Sequence, residues 1–149
     1  MQNKQHISPT ANAWLLDFGQ NVRAVVGTRV LLQLVDSPNV LSVPVAPYHC
    51  RNVFLWRKKL LPVMDIAARL GGTAQNTRLL TVVGYQHHET ETVRFGALFL
   101  EKPPVAINVT DTQFCPLPEE QSNWSKFAIS CFAHEGVATP IINLDTIFM

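Results

Sequence analysis

Charge is scarce in this chain. Lys, Arg, Asp and Glu together supply 15% of its 149 residues and nearly cancel, leaving a net charge of +1. A phosphate-reading surface needs clustered cations, and the densest basic run is Arg57-Lys58-Lys59, so nucleic acid is not an expected partner. Long apolar runs are missing too: none reaches the roughly 18 residues of a membrane-spanning helix. Cysteine is rare and odd in number. Cys50, Cys115 and Cys131 make no even, closely spaced framework, so a reducing compartment is expected rather than a disulfide scaffold. The opening Met1 to Pro9 is polar; without an apolar h-region behind a basic start it does not read as a secretory signal, and a cytoplasmic location is the expectation.

Catalytic patterns are equally thin. Gly71-Gly72 is not followed by Lys-Ser or Lys-Thr in phosphate-loop spacing and reads as a helix stop. His87-His88 with Glu89 and Glu91 is the most tempting cluster, since imidazoles and carboxylates ligate metals. Adjacent strand residues point to opposite faces, however, so an exposed hairpin tip is the better reading. Cys50 follows His49, and Cys131 lies three residues before His134. Nucleophile and base usually meet through the fold rather than along the chain, so structural cysteines are preferred. A metal- or thiol-dependent enzyme using His87, His88 or a cysteine is the alternative kept open. The expectation is no catalytic residue, no metal and no cofactor.

What is present is strand after short strand, in a chain that is 47% hydrophobic. Trp14 to Phe18 and Val22 to Val26 flank Gly19-Gln20-Asn21 and predict a hairpin. Val30 to Val35 is a strand or a short helical turn, and periodicity does not separate the two. Asp36-Ser37-Pro38-Asn39 predicts a turn, and Val43 to Pro47 an extended segment. Val53 to Trp56 and Leu60 to Val63 predict a second hairpin with a charged turn. Asp65 to Leu70 reads as a short helix with Asp65 as its cap. Strands follow at Arg78 to Gly84, Val93 to Leu100, Val105 to Val109, Phe127 to Phe132 and Val137 to Asn143. A loop covers Phe114 to Ser125, and Leu144 to Phe148 closes with a turn of helix. Many short strands without long alternating helices predict a mainly β fold, a barrel or sandwich.

Residues 39 to 71 carry a resemblance. Ser42-Val43-Pro44-Val45-Ala46-Pro47 is followed by Asn52-Val53-Phe54-Leu55-Trp56-Arg57-Lys58, then Leu60-Leu61-Pro62-Val63-Met64-Asp65-Ile66 and Arg69-Leu70-Gly71. This order resembles the CheW-like domain of bacterial chemotaxis coupling proteins, with Arg57 and Pro62 at the family spacing. More loosely the likeness extends over nearly the whole chain. Departures stand out: Asn52 and Lys58 replace family glycines, Gln33 an acidic residue and Leu100 an aspartate.

The resemblance implies two small SH3-like five-stranded β-barrels around a shared hydrophobic core, with one short helix after Asp65. It implies a flexible stretch over residues 1–12 and one CheW-like domain of two intertwined subdomains over 13–149. It further implies a free-standing, non-catalytic adaptor. Such a protein docks one barrel on the regulatory domain of a CheA-type histidine kinase and holds the cytoplasmic tip of a methyl-accepting chemoreceptor near a groove between barrels. The output is flagellar or type IV pilus motility. By position, Leu31, Gln33, Asn52, Phe54, Trp56, Arg57 and Lys58 are the implied partner-binding residues. Alternation along the strand predicts Phe54 and Trp56 on one face, Leu55 and Arg57 on the other.

Overall fold

In a computed structural model, residues 10–74, 79–86 and 92–148 are described. Strand β1 (Thr10–Asp17) runs antiparallel to β2 (Arg23–Gly27), with Leu16 facing Ala24 and Asp17 facing Arg23. Gly19, Gln20 and Asn21 between them all hold positive φ, and the Asp17 carboxylate accepts from the Gly19 N–H at 2.9 Å. Three further strands, β9 (Val105–Thr110), β10 (Ala128–His134) and β11 (Val137–Ile142), complete a sheet in the order β10-β11-β2-β1-β9. Of residues 1–12, the last three begin β1 and the others lie outside the described residues.

The second sheet collects the intervening chain: β3 (Leu31–Asp36), β4 (Val40–Ser42), β5 (Asn52–Trp56), β6 (Lys59–Met64), β7 (Leu79–Tyr85) and β8 (Arg94–Leu100), in the order β3-β7-β8-β6-β5-β4. The fold is mainly β, two curled sheets with few short helices, as expected. The count differs in one respect. The second sheet has six strands, because the chain leaving the Pro38 turn pairs Val40 with Phe54 and Ser42 with Asn52. The segment predicted to be extended at Val43 to Pro47 instead turns, with Val45 at φ 67°. Only Val43 and Ala46 precede prolines and feel their steric restraint. Val45 between them escapes that restraint but is β-branched, so its left-handed φ is strained, and the Val43 N–H closes the loop on the Arg51 carbonyl at 2.6 Å.

Strands β7 and β8 explain why their sequences read as unbroken apolar runs. Leu80 and Val82 of β7, with Ala97 and Phe99 of β8, fill the interior of the second sheet. Their neighbours Val83, Leu98 and Leu100 point the other way, into a core shared with Leu16, Phe18 and Val26 of the first sheet. A strand covered on both faces shows no polar alternation. Each fully buried Leu or Val contributes about 1.5–3 kcal/mol, so this pair anchors both halves. Leu100, which stands where the resembled family has an aspartate, is one of these fully buried residues.

The two halves repeat a device. Pro62-Val63-Met64-Asp65-Ile66 ends β6 and enters α1 (Ile66–Arg69); Pro140-Ile141-Ile142-Asn143-Leu144 ends β11 and enters α2 (Leu144–Ile147). Each strand end makes a parallel pairing, Val63 with Ala97 and Ile141 with Val25. Each helix starts on an extended Asp or Asn, with φ −95° at both Asp65 and Asn143. Asp65 caps as expected, accepting from the Ala68 N–H at 3.2 Å. Gly71, at φ 100°, ends α1 in a backbone state that suits glycine.

Candidate functional site

The hairpin that joins β5 to β6 turns through Arg57 and Lys58, with φ of 48° and 66°. Two successive left-handed residues suit the twist of a two-residue hairpin, a position that usually takes Asn or Gly. Arg and Lys occupy it at a cost of about 1–2 kcal/mol each. Lys58 therefore holds a left-handed conformation that glycine adopts without penalty, under strain.

Alternation holds along β5. Phe54 packs into the interior of the second sheet, Trp56 is buried there at 7% exposure, and Leu55 faces solvent at 60%. Arg57 is different, because it belongs to the turn. Its guanidinium lies over the Trp56 ring at 4.5 Å from the centroid, on the side from which strand alternation would have excluded it.

The Trp56 indole N–H donates to the Gln33 side-chain oxygen at 2.9 Å. Trp56 sits on β5 and Gln33 on β3, which are separated by three strands in the sheet order. Only a sheet curled on itself brings them together, so this bond ties the mouth of the second half. Gln33 thus serves as acceptor to the indole, and Arg57 takes the indole face in place of an acidic partner. The Gln33 carbonyl in turn accepts from the Thr81 hydroxyl at 3.1 Å. Beside the pair, Phe95 approaches the Trp56 ring at 5.3 Å, and the Lys59 ammonium lies 5.0 Å from the Phe95 centroid. Leu32, Trp56, Arg57, Lys59 and Phe95 line an open groove of about 440 Å³.

Of the seven residues singled out, Gln33, Trp56 and Arg57 are brought into contact, Phe54 lies in the same interior and Lys58 completes the turn. Leu31 is not part of this group: a register shift between Leu31 and Gln33 goes with Leu31 packing against the shared core. Asn52 lies at the far end of β5, paired with Ser42 and Val63. Sequence reasoning missed Leu32, Lys59 and Phe95. Lys59 was visible only as part of a charged turn, and the contact of Phe95 with Trp56 has no local mark.

Among the described residues the alternative chemistry gains no geometry. His87, His88, Glu89 and Glu91 lie outside the described residues. Among the described residues no three His, Cys, Asp or Glu side chains are grouped to hold a metal ion. His134 contacts the Phe132 ring edge and approaches Glu135 at 4.0 Å. Cys131 meets Cys115, not His134, with sulfurs 3.7 Å apart. Burial and the neighbouring Cys115 push its thiol up to about 11, opposite to the depression that poises a catalytic cysteine for turnover at neutral pH. A larger hollow of about 510 Å³ lies by the first hairpin, lined in part by Gln20, Arg23, Trp124 and His134, and none of the seven residues singled out above lines it. No described helix is long and apolar enough to cross a membrane.

No protein-family model matches the sequence, and no curated protein matches it. Among solved structures, the fold is similar to the crystal structure of the scaffolding protein TtCheW from Thermoanaerobacter tengcongensis. The TM-score is 0.77 at 14% identity, over 100% of this chain and 94% of that one. The two curled sheets thus match the two SH3-like barrels of a CheW fold.

Proposed function

We propose that this chain is a non-catalytic adaptor that couples the cytoplasmic tip of a chemoreceptor to the regulatory domain of a CheA-type histidine kinase. The observation that carries the reading is the end-to-end match of both sheets to a scaffolding protein. The residue order from Ser42 to Gly71 supports it independently. In this reading residues 13–149 act as one unit, the protein works in the cytoplasm at receptor arrays, and its output is flagellar or pilus motility.

Partner binding is assigned to Gln33, Phe54, Trp56, Arg57 and Lys58 around the groove, with Leu31 and Asn52 flanking. Three cations at 57 to 59 stand next to exposed Leu32, Leu55 and Leu60, a mixture suited to an amphipathic partner. Aromatic and arginine residues concentrate binding energy at such interfaces. Titration calorimetry of the purified chain against the regulatory domain of a CheA-type kinase from the same genome tests the proposal. Micromolar affinity, about −8 kcal/mol, is expected. Absence of binding by folded protein to both that domain and the receptor tip would remove the proposal's support.

A further inference from the structure

The edges of the first sheet, β9 and β10, stand at opposite ends of the strand order. The chain leaving β9 reaches back to β10 through a 3-10 turn at Asp111–Gln113. Few interactions hold this seam. Phe114 forms a single antiparallel bridge with Phe132, the Cys115 N–H donates to the Cys131 carbonyl at 3.0 Å, and the Gln113 amide donates to the Ala133 carbonyl at 3.1 Å. Cys115 and Cys131 therefore face each other across the seam, and their sulfurs are in contact at 3.7 Å.

We propose that Cys115 and Cys131 are an oxidisable pair that forms a disulfide across this seam, with a small-molecule disulfide such as glutathione disulfide as oxidant. The backbone is suited to it. The Phe114–Phe132 bridge and the one bond from the Cys115 N–H to the Cys131 carbonyl set the two cysteines across from each other; opposed antiparallel residues hold their Cα atoms about 4.5–5.5 Å apart, within the roughly 4.4–6.8 Å that disulfides span. Pro116 keeps Cys115 extended, so its side chain stays directed at β10. Closure needs the sulfurs to approach to about 2.05 Å, a side-chain rotation that half-exposed Cys115 can make while Cys131 stays buried.

The reaction balances in two exchanges. The Cys115 thiol gives up its proton, and its sulfur attacks one sulfur of the oxidant, forming a mixed disulfide and expelling one small thiol, which carries that proton. Cys131 then gives up its proton and attacks the Cys115 sulfur, forming the intramolecular bond and expelling the second small thiol. The protein loses two electrons and two protons, and the oxidant is reduced to two thiols. The closed loop carries Trp124 and Phe127, both buried in the shared core, so the bond fixes that segment to the first sheet. Cys50 packs against the shared core, and no other thiol contacts it among the described residues.

The test incubates the full native chain in glutathione buffers of graded potential, blocks residual thiols by alkylation and maps the tryptic peptides by mass spectrometry. Exposed Lys126 lies between the two cysteines, so cleavage there places them on separate peptides that stay joined only by the disulfide. The expected result is a Cys115–Cys131 cross-link with Cys50 alkylated. The cross-link should reopen with excess reduced glutathione and raise Tm by about 5–10 °C. A Cys50→Ser variant should retain it and a Cys115→Ser variant should lose it. Three free thiols throughout, glutathione retained on Cys115 alone, or dimers linked between chains would each overturn the proposal.

Discussion

Removing the Trp56–Gln33 hydrogen bond should weaken the whole protein, because that bond joins β3 to β5 across the mouth of the second half. Gln33→Ala deletes the acceptor and leaves the indole N–H of a 7% exposed residue without it, an expected loss of about 1–2 kcal/mol. Trp56→Phe keeps a ring against Phe54 and Phe95 but removes the donor and part of the volume, for about 1–2 kcal/mol. Trp56→Ala opens a cavity in the interior and should lose about 3–5 kcal/mol. The bond itself is isolated by the double variant Gln33→Ala/Trp56→Phe, whose loss should fall short of the sum of the singles by about 1 kcal/mol. Urea denaturation followed by far-UV circular dichroism is the assay, since Trp14 and Trp124 complicate a fluorescence signal. Additivity within about 0.3 kcal/mol would show that the indole–glutamine contact does not hold the mouth closed, and the reasoning would fail.

Three further effects follow from single positions. Gly96→Ala would place its Cβ 2.5–2.9 Å from Phe148 ring atoms, so a loss of about 1–3 kcal/mol is expected; relief by Phe148→Leu in the same melt identifies the clash. Lys58→Gly should raise stability by about 0.5–1 kcal/mol, because glycine holds φ 66° without the left-handed penalty but loses more chain entropy; a drop would mean that the lysine stem stabilises the turn. Partial burial, then the charge of Arg69, holds His49 below its ordinary 6.5 against the opposing pull of Asp65. The neutral form is favoured in the fold, so its contribution is complete above pH 6.5 and is lost as pH falls through the lowered folded value. His49→Gln should flatten the stability profile between pH 7 and 5, and an unchanged profile would contradict the assignment.

Much of the fold was legible because it is local. The β1–β2 and β5–β6 hairpins follow from apolar runs around short polar breaks, and α1 from Asp65 and Gly71. Strands β7 and β8 were readable from apolar runs of strand length, although such runs do not reveal which face meets which core. Distances along the chain hid the rest. The parallel pairing of Val63 with Ala97, the seam at Phe114 and the bond from Trp56 to Gln33 arise only when a sheet curls. β4 was missed because three residues carry too little pattern. The thiol pair was missed because Cys131 was weighed against His134, its neighbour along the chain, while Cys115 lay across the seam. The site was half legible: β5 and its turn were indicated, whereas Lys59 and Phe95 enter through neighbouring strands.

The central claim is coupling, and co-sedimentation tests it most directly. Receptor cytoplasmic fragments on vesicles are mixed with the kinase regulatory domain, with and without this chain. The account predicts that the kinase domain pellets only when the chain is present, and that Arg57→Ala, shown by circular dichroism to be folded at the assay temperature, reduces the pelleted fraction. Equal amounts of kinase domain in the pellet with and without the folded chain would contradict an adaptor role.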